Sequence, residues 1–192
     1  MKNTILVAAG LLLVAASCKK ETISQNLSTP DSFKAYTIPQ GQHYATENPL
    51  KSVETAEMKF VVKFDSTAIY QTLDPENQYD INKLYGFSDN GDLHQQYSAR
   101  IGWRWSDGAL RLFAYTYNAG VRDSKEIAAI QIGKEVSCSI KVSPETYQFN
   151  VDGKTESMPR KSTTTAGKGY QLYPYFGGDE AAPHEVHIWI RE

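Results

Sequence analysis

This chain has no marked excess of charge of either sign. Its 192 residues carry 20 Lys and Arg against 22 Asp and Glu, a formal net charge of −2. That balance lacks the basic footprint of a nucleic-acid-binding protein. Long apolar runs are scarce as well: Ile5 to Ala16 is the extended one, and it is too short to cross a bilayer, which takes about 20 residues. Helical periodicity is nearly missing beyond residue 33. No phosphate-cradling glycine loop, Ser-His-Asp arrangement or internal repeat is recognisable, and low complexity is confined to the short STTT at 162 to 165.

The N-terminal stretch holds a sorting signal. Lys2 gives a positive start, residues 5 to 16 an apolar centre, and Ala15, Ala16 and Ser17 a small-residue approach to Cys18, which is the layout of a secretory signal. A cysteine at that place resembles the lipobox of bacterial lipoproteins. The resemblance implies cleavage before Cys18 and acylation of its thiol and its new amino terminus, and several acyl chains anchor far more firmly than one. Residues 1 to 17 are then signal peptide, 18 to 32 the lipidated cysteine with a polar tether (KKETISQNLSTPDS), and 33 to 192 a single domain. The Lys-Lys-Glu after Cys18 is similar to the charged signal that sends some Bacteroidota lipoproteins outward. It implies an outer-membrane anchor with the domain at the cell surface, the alternative being a periplasm-facing one. Removing residues 1 to 17 takes away Lys2 and brings the net charge to −3. With Cys18 lipidated, Cys138 has no partner within the chain. It stands at an apolar position of an alternating run and reads as an inert buried thiol, so no disulfide framework is expected.

From residue 33 the chain reads as strands and turns. In EMKFVVKF, Met58, Phe60, Val62 and Phe64 share one face while Glu57, Lys59 and Lys63 take the other. Residues 134 to 142 repeat this with Val136, Cys138, Ile140 and Val142, and residues 146 to 151 with Tyr147, Phe149 and Val151. Period-two alternation marks antiparallel strands with one buried face. Asn90-Gly91, Asp107-Gly108 and Asp152-Gly153 are dipeptides that accept the positive φ of tight hairpins. The fold class expected is all-β, an antiparallel β-sandwich.

One segment departs from ordinary surface chemistry. Between Gln95 and Trp105 the core set is Tyr97, Ala99, Ile101, Trp103 and Trp105, leaving Arg100 and Arg104 opposite. After the turn, Leu110, Leu112 and Ala114 are core and Arg111, Phe113, Tyr115 and Tyr117 face away. Near the end, Tyr173 and Tyr175 alternate with Leu172, Pro174 and Phe176, and His187 and Trp189 with Val186, Ile188 and Ile190. If these strands share a sheet, its outer face displays Arg100, Arg104, Arg111, Tyr115, Tyr117, Tyr173, Tyr175, His187 and Trp189. Rings offer platforms for the C–H faces of sugars, and guanidinium forks hold carboxylate or sulfate through paired hydrogen bonds. Such a face suits a polysaccharide, an anionic one above all. The bland alternative is arginine stacked on rings merely to cover a sheet. A large apolar patch also suits docking of another envelope protein.

The block NKLYGFSDNGDLHQQYSARIGWRW and the closing GYQLYPYFGGDEAAPHEVHIWI resemble segments of secreted Bacteroidota proteins of the concanavalin A-like jelly-roll type, over about residues 54 to 192. That architecture serves lectins, hydrolases and lyases alike. A retaining hydrolase needs paired carboxylates, commonly Glu-x-Asp-x-Glu on one strand, and no such triplet occurs. A polysaccharide lyase needs a group to neutralise the uronate carboxylate and a His or Tyr to move protons. His94, Arg100, Tyr115 and His187 are the candidates for that role. The Gln-Ile-His and Tyr-Phe-Lys-Ala-Gly blocks of alginate-lyase jelly rolls are altered here to Gln131-Ile132-Gly133 and Tyr175-Phe176-Gly177, so an enzyme is not the leading expectation. Asp89, Asn90 and Asp92 offer oxygens to calcium, yet SDNGD lacks the spacing of a calcium hand and reads first as a turn. His184 and His187 fall on opposite faces of a strand, which argues against zinc. No metal or other cofactor is expected.

Overall fold

The computed structural model describes residues 32 to 192. The expectations for the signal peptide, Cys18 and nearly all of the tether lie outside the described residues.

The chain forms two six-stranded antiparallel sheets, as the alternation implied. Sheet A runs in the order β1 (Lys34–Ile38), β12 (Val186–Arg191), β3 (Glu57–Phe64), β8 (Glu135–Val142), β9 (Thr146–Val151) and β10 (Lys154–Pro159). Sheet B runs β2 (Ser52–Thr55), β11 (Gly167–Leu172), β4 (Asn82–Ser88), β5 (Tyr97–Ser106), β6 (Ala109–Asn118) and β7 (Val121–Ile130). Two short 3-10 turns, Ser66–Ala68 and Pro75–Tyr79, lie between β3 and β4. The core forms where the inward sets of the sheets meet. Phe60, Val62 and Phe64 of β3 and Val136, Cys138 and Ile140 of β8 are buried in one cluster with Ile101 and Trp103 of β5 and Leu110 and Leu112 of β6. Burial pushes the Cys138 thiol far up, in keeping with an inert core residue.

Two hairpins close on the expected dipeptides. Asp107 and Gly108 have φ of 53° and 71°, and Asp152 and Gly153 46° and 85°, the left-handed pairs that match the twist of the flanking strands.

Two features of β4 shape the outer face of sheet B. Its register on β5 pairs Lys83 with Gly102 and Tyr85 with Ile101, so Leu84 is an extra residue, a bulge. The bulge lets Leu84 and Tyr85 both enter the core while Lys83 stays outward. At its other end β4 is pinned by a buried ion pair. Arg160 Nε lies 2.8 Å from Asp89 Oδ2, which also accepts from the Tyr147 hydroxyl at 2.6 Å. Asp89 Oδ1 accepts from the Lys168 N–H at 2.9 Å. Burial pushes the Asp89 carboxyl up, and the Arg160 and Tyr147 hydrogen bonds outweigh it, so the group sits below its ordinary value.

One strand is not where the sequence reading assumed. β12 pairs with β1 and β3 in sheet A, not with the arginine-bearing strands of sheet B. His187 and Trp189 are therefore on a different sheet from Arg100, and the nine-residue face is divided.

Candidate functional site

Residues paired across a sheet share a face, so the registers give the outer surface of sheet B row by row. One row is Leu172, Gly86, Arg100, Tyr115 and Ser124, across β11, β4, β5, β6 and β7. A flanking row is Ser88, Ser98, Tyr117 and Arg122, and the other is Lys83, Gly102, Phe113 and Glu126. Over these rows lies a cleft of about 480 Å³. Its lining includes Lys83, His94, Arg100, Tyr115, Tyr117, Arg122, Tyr170 and Tyr175, and Asp179 is its one carboxylate among the described residues.

Gly86 makes the floor possible. A Cβ there would lie 2.6 Å from Arg100 Cα, so the bare backbone of β4 is what gives the Arg100 stem its place. Arg100 is 6% exposed, with its guanidinium carbon 5.1 Å from the centre of the Tyr115 ring. Its Nε is buried without a hydrogen-bond partner, and no carboxylate pairs with it among the described residues. Burial lowers its proton affinity and the surrounding tyrosines partly restore it; an arginine nevertheless stays charged. A buried cation without a counter-ion is costly unless something else neutralises it.

A second cation stands beside the first. Lys83 donates to the Gly177 carbonyl at 2.8 Å and lies over the rings of Tyr115 and Tyr175, at 5.4 and 5.3 Å. Burial, then the Arg100 charge, pull its pKa down to about 8. Gly177 can turn its carbonyl this way because it adopts φ of 81°. Tyr175 is fixed from outside by His43, stacked at 5.2 Å, and by Tyr44, edge-on at 4.9 Å.

On the far side, the Tyr170 hydroxyl is bonded to His94 Nδ1 at 2.9 Å and accepts the His94 backbone N–H at 3.1 Å. Burial, then Arg100 and Lys83, lower the His94 pKa to about 4, so the ring is neutral at pH 7. Burial pushes Tyr115 up to about 12, against the pull of Arg100. The cleft thus combines cations, a neutral imidazole and protonated phenols around one buried guanidinium.

The expected site residues separate into two sets. Arg100, Tyr115, Tyr117, Tyr175 and His94 come together in the cleft. Tyr173 borders it, but its ring turns inward onto Tyr36 and Tyr85, at 5.9 and 5.8 Å, and belongs to the core. Leu172 takes the outward place, opposite Gly86; apolar character misassigned the two. Arg104 lies over Phe113 and Tyr79 and donates to the Tyr79 carbonyl at 2.8 Å. Arg111 pairs with Glu126 at 2.9 Å and with Asp107. Both are satisfied inside the protein, as the bland reading holds. His187 meets Thr37 and Glu185, and Trp189 lies beside it at 6.0 Å, all on the sheet A side. His187 is accordingly removed from the set of proton-transfer candidates.

The calcium and zinc readings meet the same test. Asp89 is committed to Arg160, and the Asn90 amide oxygen accepts from Ser162 and Thr163. His184 is bonded to the Thr67 carbonyl. No group of three or more metal-ligating side chains occurs among the described residues. Glu180 accepts from the Leu73 and Asp74 N–H groups and from Asn77, capping the Pro75–Tyr79 turn.

Sequence reading missed Lys83, Arg122, Tyr170 and Tyr44. The Lys83 signal is hidden by the bulge, which breaks the alternation that would have placed it. The glycine of Tyr85-Gly86-Phe87 was the available hint, since a glycine inside a strand marks a close approach.

No protein-family model matches the chain, and no curated protein matches it. Solved structures do. An alginate lyase from Chlorella virus superimposes with a TM-score of 0.52 at 11% identity, covering 83% of this chain and 82% of that one. A family 16 endo-glucanase from Bacteroides ovatus gives 0.54 at 13%, covering 83% and 78%. A laminarinase catalytic domain from Thermotoga petrophila gives 0.54 at 10%, covering 83% and 75%. The likeness is one of fold. At such identities the jelly-roll sandwich is what it establishes, and the chemistry must be argued from this chain's own cleft.

Proposed function

We propose that this protein is a lipid-anchored domain of the cell surface that binds an anionic polysaccharide, a polyuronate, in the cleft of sheet B. The observation that carries the reading is Arg100: a residue 6% exposed, its Nε buried without a hydrogen-bond partner and no carboxylate paired with it among the described residues, at the floor of a cleft walled by tyrosines. A carboxylate entering the cleft completes that charge, and a guanidinium fork matches it geometrically. Tyr115, Tyr117, Tyr170 and Tyr175 supply ring faces and hydroxyls for the sugar around it. The neighbours in fold act on polysaccharides by their names, which agrees with a glycan as the partner. The anchor rests on Ala15-Ala16-Ser17-Cys18 and the outward placement on Lys19-Lys20-Glu21.

The test is affinity electrophoresis of the full-length chain in non-ionic detergent, through gels holding polygalacturonate, alginate or a neutral glucan. Retardation in the acidic gels that weakens with salt, and none in the glucan gel, is the expected result. Equal migration in all gels rejects the reading and favours a protein-docking role, which co-purification of a partner would then have to support.

A second reading, a polysaccharide lyase, has its own observation in the neutral His94 bonded to Tyr170 in the same cleft. With a uronate carboxylate on Arg100, a base removes the proton at C5, the C4–C5 double bond forms, and the departing C4 oxygen takes up a proton. Asp179, the single lining carboxylate among the described residues, gives no partner for a hydrolase pair. Unsaturated products absorbing in the ultraviolet, abolished by Tyr115→Phe or His94→Gln, are the signature that separates lyase from binder.

A further inference from the structure

The cleft has a second chemistry beside its cations. Where Leu172 stands opposite Gly86, the row that reaches Arg100 begins with an apolar side chain. The Gln171 N–H bond to the Lys51 carbonyl at 2.8 Å carries the β11–β2 pairing onward, bringing the 48 to 50 segment alongside. Pro49, Leu50, Leu172 and Pro174 all line the cleft there. Leu50 is 92% exposed. A single exposed leucine needs no explanation, but four aliphatic side chains lining one cleft beside its cationic floor do. These four are aliphatic, whereas flat sugar faces are ordinarily met by rings such as those of Tyr115 and Tyr175. Leu172 and Arg100 stand two strands apart, about 10 Å at the usual strand spacing, near the length of a disaccharide.

We infer that the polyuronate bound here bears methyl-containing substituents, with the methyl groups on the Pro49–Leu50–Leu172–Pro174 wall while a neighbouring carboxylate meets Arg100. The inference rests on the anion-binding reading above. Two sources supply such a methyl: an O-acetyl ester on the uronate, or a 6-deoxy sugar in the repeat. Each methyl transferred from water to the wall favours binding about fourfold.

The experiment compares the full-length chain in detergent on three gels: unsubstituted polygalacturonate, the same polymer chemically O-acetylated, and a rhamnose-containing polyuronate. Retention about fourfold or more stronger on either substituted polymer than on the plain one is expected. Preference for the acetylated gel, lost after mild alkaline de-esterification, assigns the ester; preference for the rhamnose gel assigns the deoxy sugar. Leu50→Asn, at an exposed position that leaves the core untouched, should reduce the ratio of retention on the substituted polymer to that on the plain one toward unity. Equal retention on all three gels, or a Leu50→Asn variant that keeps the preference, overturns this inference and leaves the Arg100 reading standing. Failure on every gel overturns both.

Discussion

Arg100 is held against the interest of the fold. Its cation is taken from water without a counter-ion among the described residues, so a shape-similar apolar side chain should fit the same trough over Gly86 at lower cost. Arg100→Met is therefore expected to raise stability by about 1 kcal/mol or more while abolishing retention on polyuronate. Chemical denaturation reads the first effect and affinity electrophoresis the second. Lys83 adds a pH dependence. Its pKa of about 8 means the cleft loses a positive charge as pH rises through that value, whereas a uronate stays ionised well below it. Polyuronate affinity should fall between about pH 7 and 9, and Lys83→Arg should flatten the profile. A profile unchanged in the Arg variant would show that Lys83 is not in electrical contact with the ligand. His94 acts on the fold in the acid range. Its folded pKa is lowered to about 4 from 6.5, so its contribution to stability is complete above 6.5 and is lost as pH falls toward 4.

At the scale of the strand, β4 supports the cleft: Gly86 makes room for Arg100 of β5, and the Arg160–Asp89 pair pins the end of β4. Gly86→Ala places a Cβ within 2.6 Å of Arg100 Cα. The variant should lose about 1–3 kcal/mol of stability through overpacking and should lose ligand retention with it. Arg160→Leu leaves Asp89 buried without its partner, with an expected cost of about 3–5 kcal/mol. Thermal melts of the two variants check both figures. Alternation in β3, β5, β6, β8 and β9 assigned inward and outward residues because each strand has one core face. It could not say which strands are neighbours, and β12 was placed beside the arginines although it pairs with β1 and β3. Nor could it survive the Leu84 bulge or the run through Pro174, where β11 has already ended at Leu172. Tyr173 and Leu172 exchanged roles there because a tyrosine ring can enter a core and a leucine can line a cleft. Arg104 and Arg111 carry the same local signal as Arg100, and only their partners Tyr79 and Glu126, distant in sequence, distinguish them.

For the whole molecule, the two sheets divide the work. Both sheets contribute side chains to the one core; sheet A has His187 and Trp189 on its side, and sheet B holds the cleft on its outer face. The sandwich itself was legible from turns and alternation, and the neighbours in fold agree with it. The proposed lipid anchor is tested at this scale: Cys18→Ala should release the protein from membranes into the soluble fraction, and continued membrane retention would contradict the proposal. The most direct measurement of the central claim is the affinity of the wild-type chain and of Arg100→Met for polygalacturonate, each shown to be folded by its melting curve. The account predicts a folded variant, at least as stable as wild type, that no longer binds. A folded variant that binds polygalacturonate as the wild type does would contradict it.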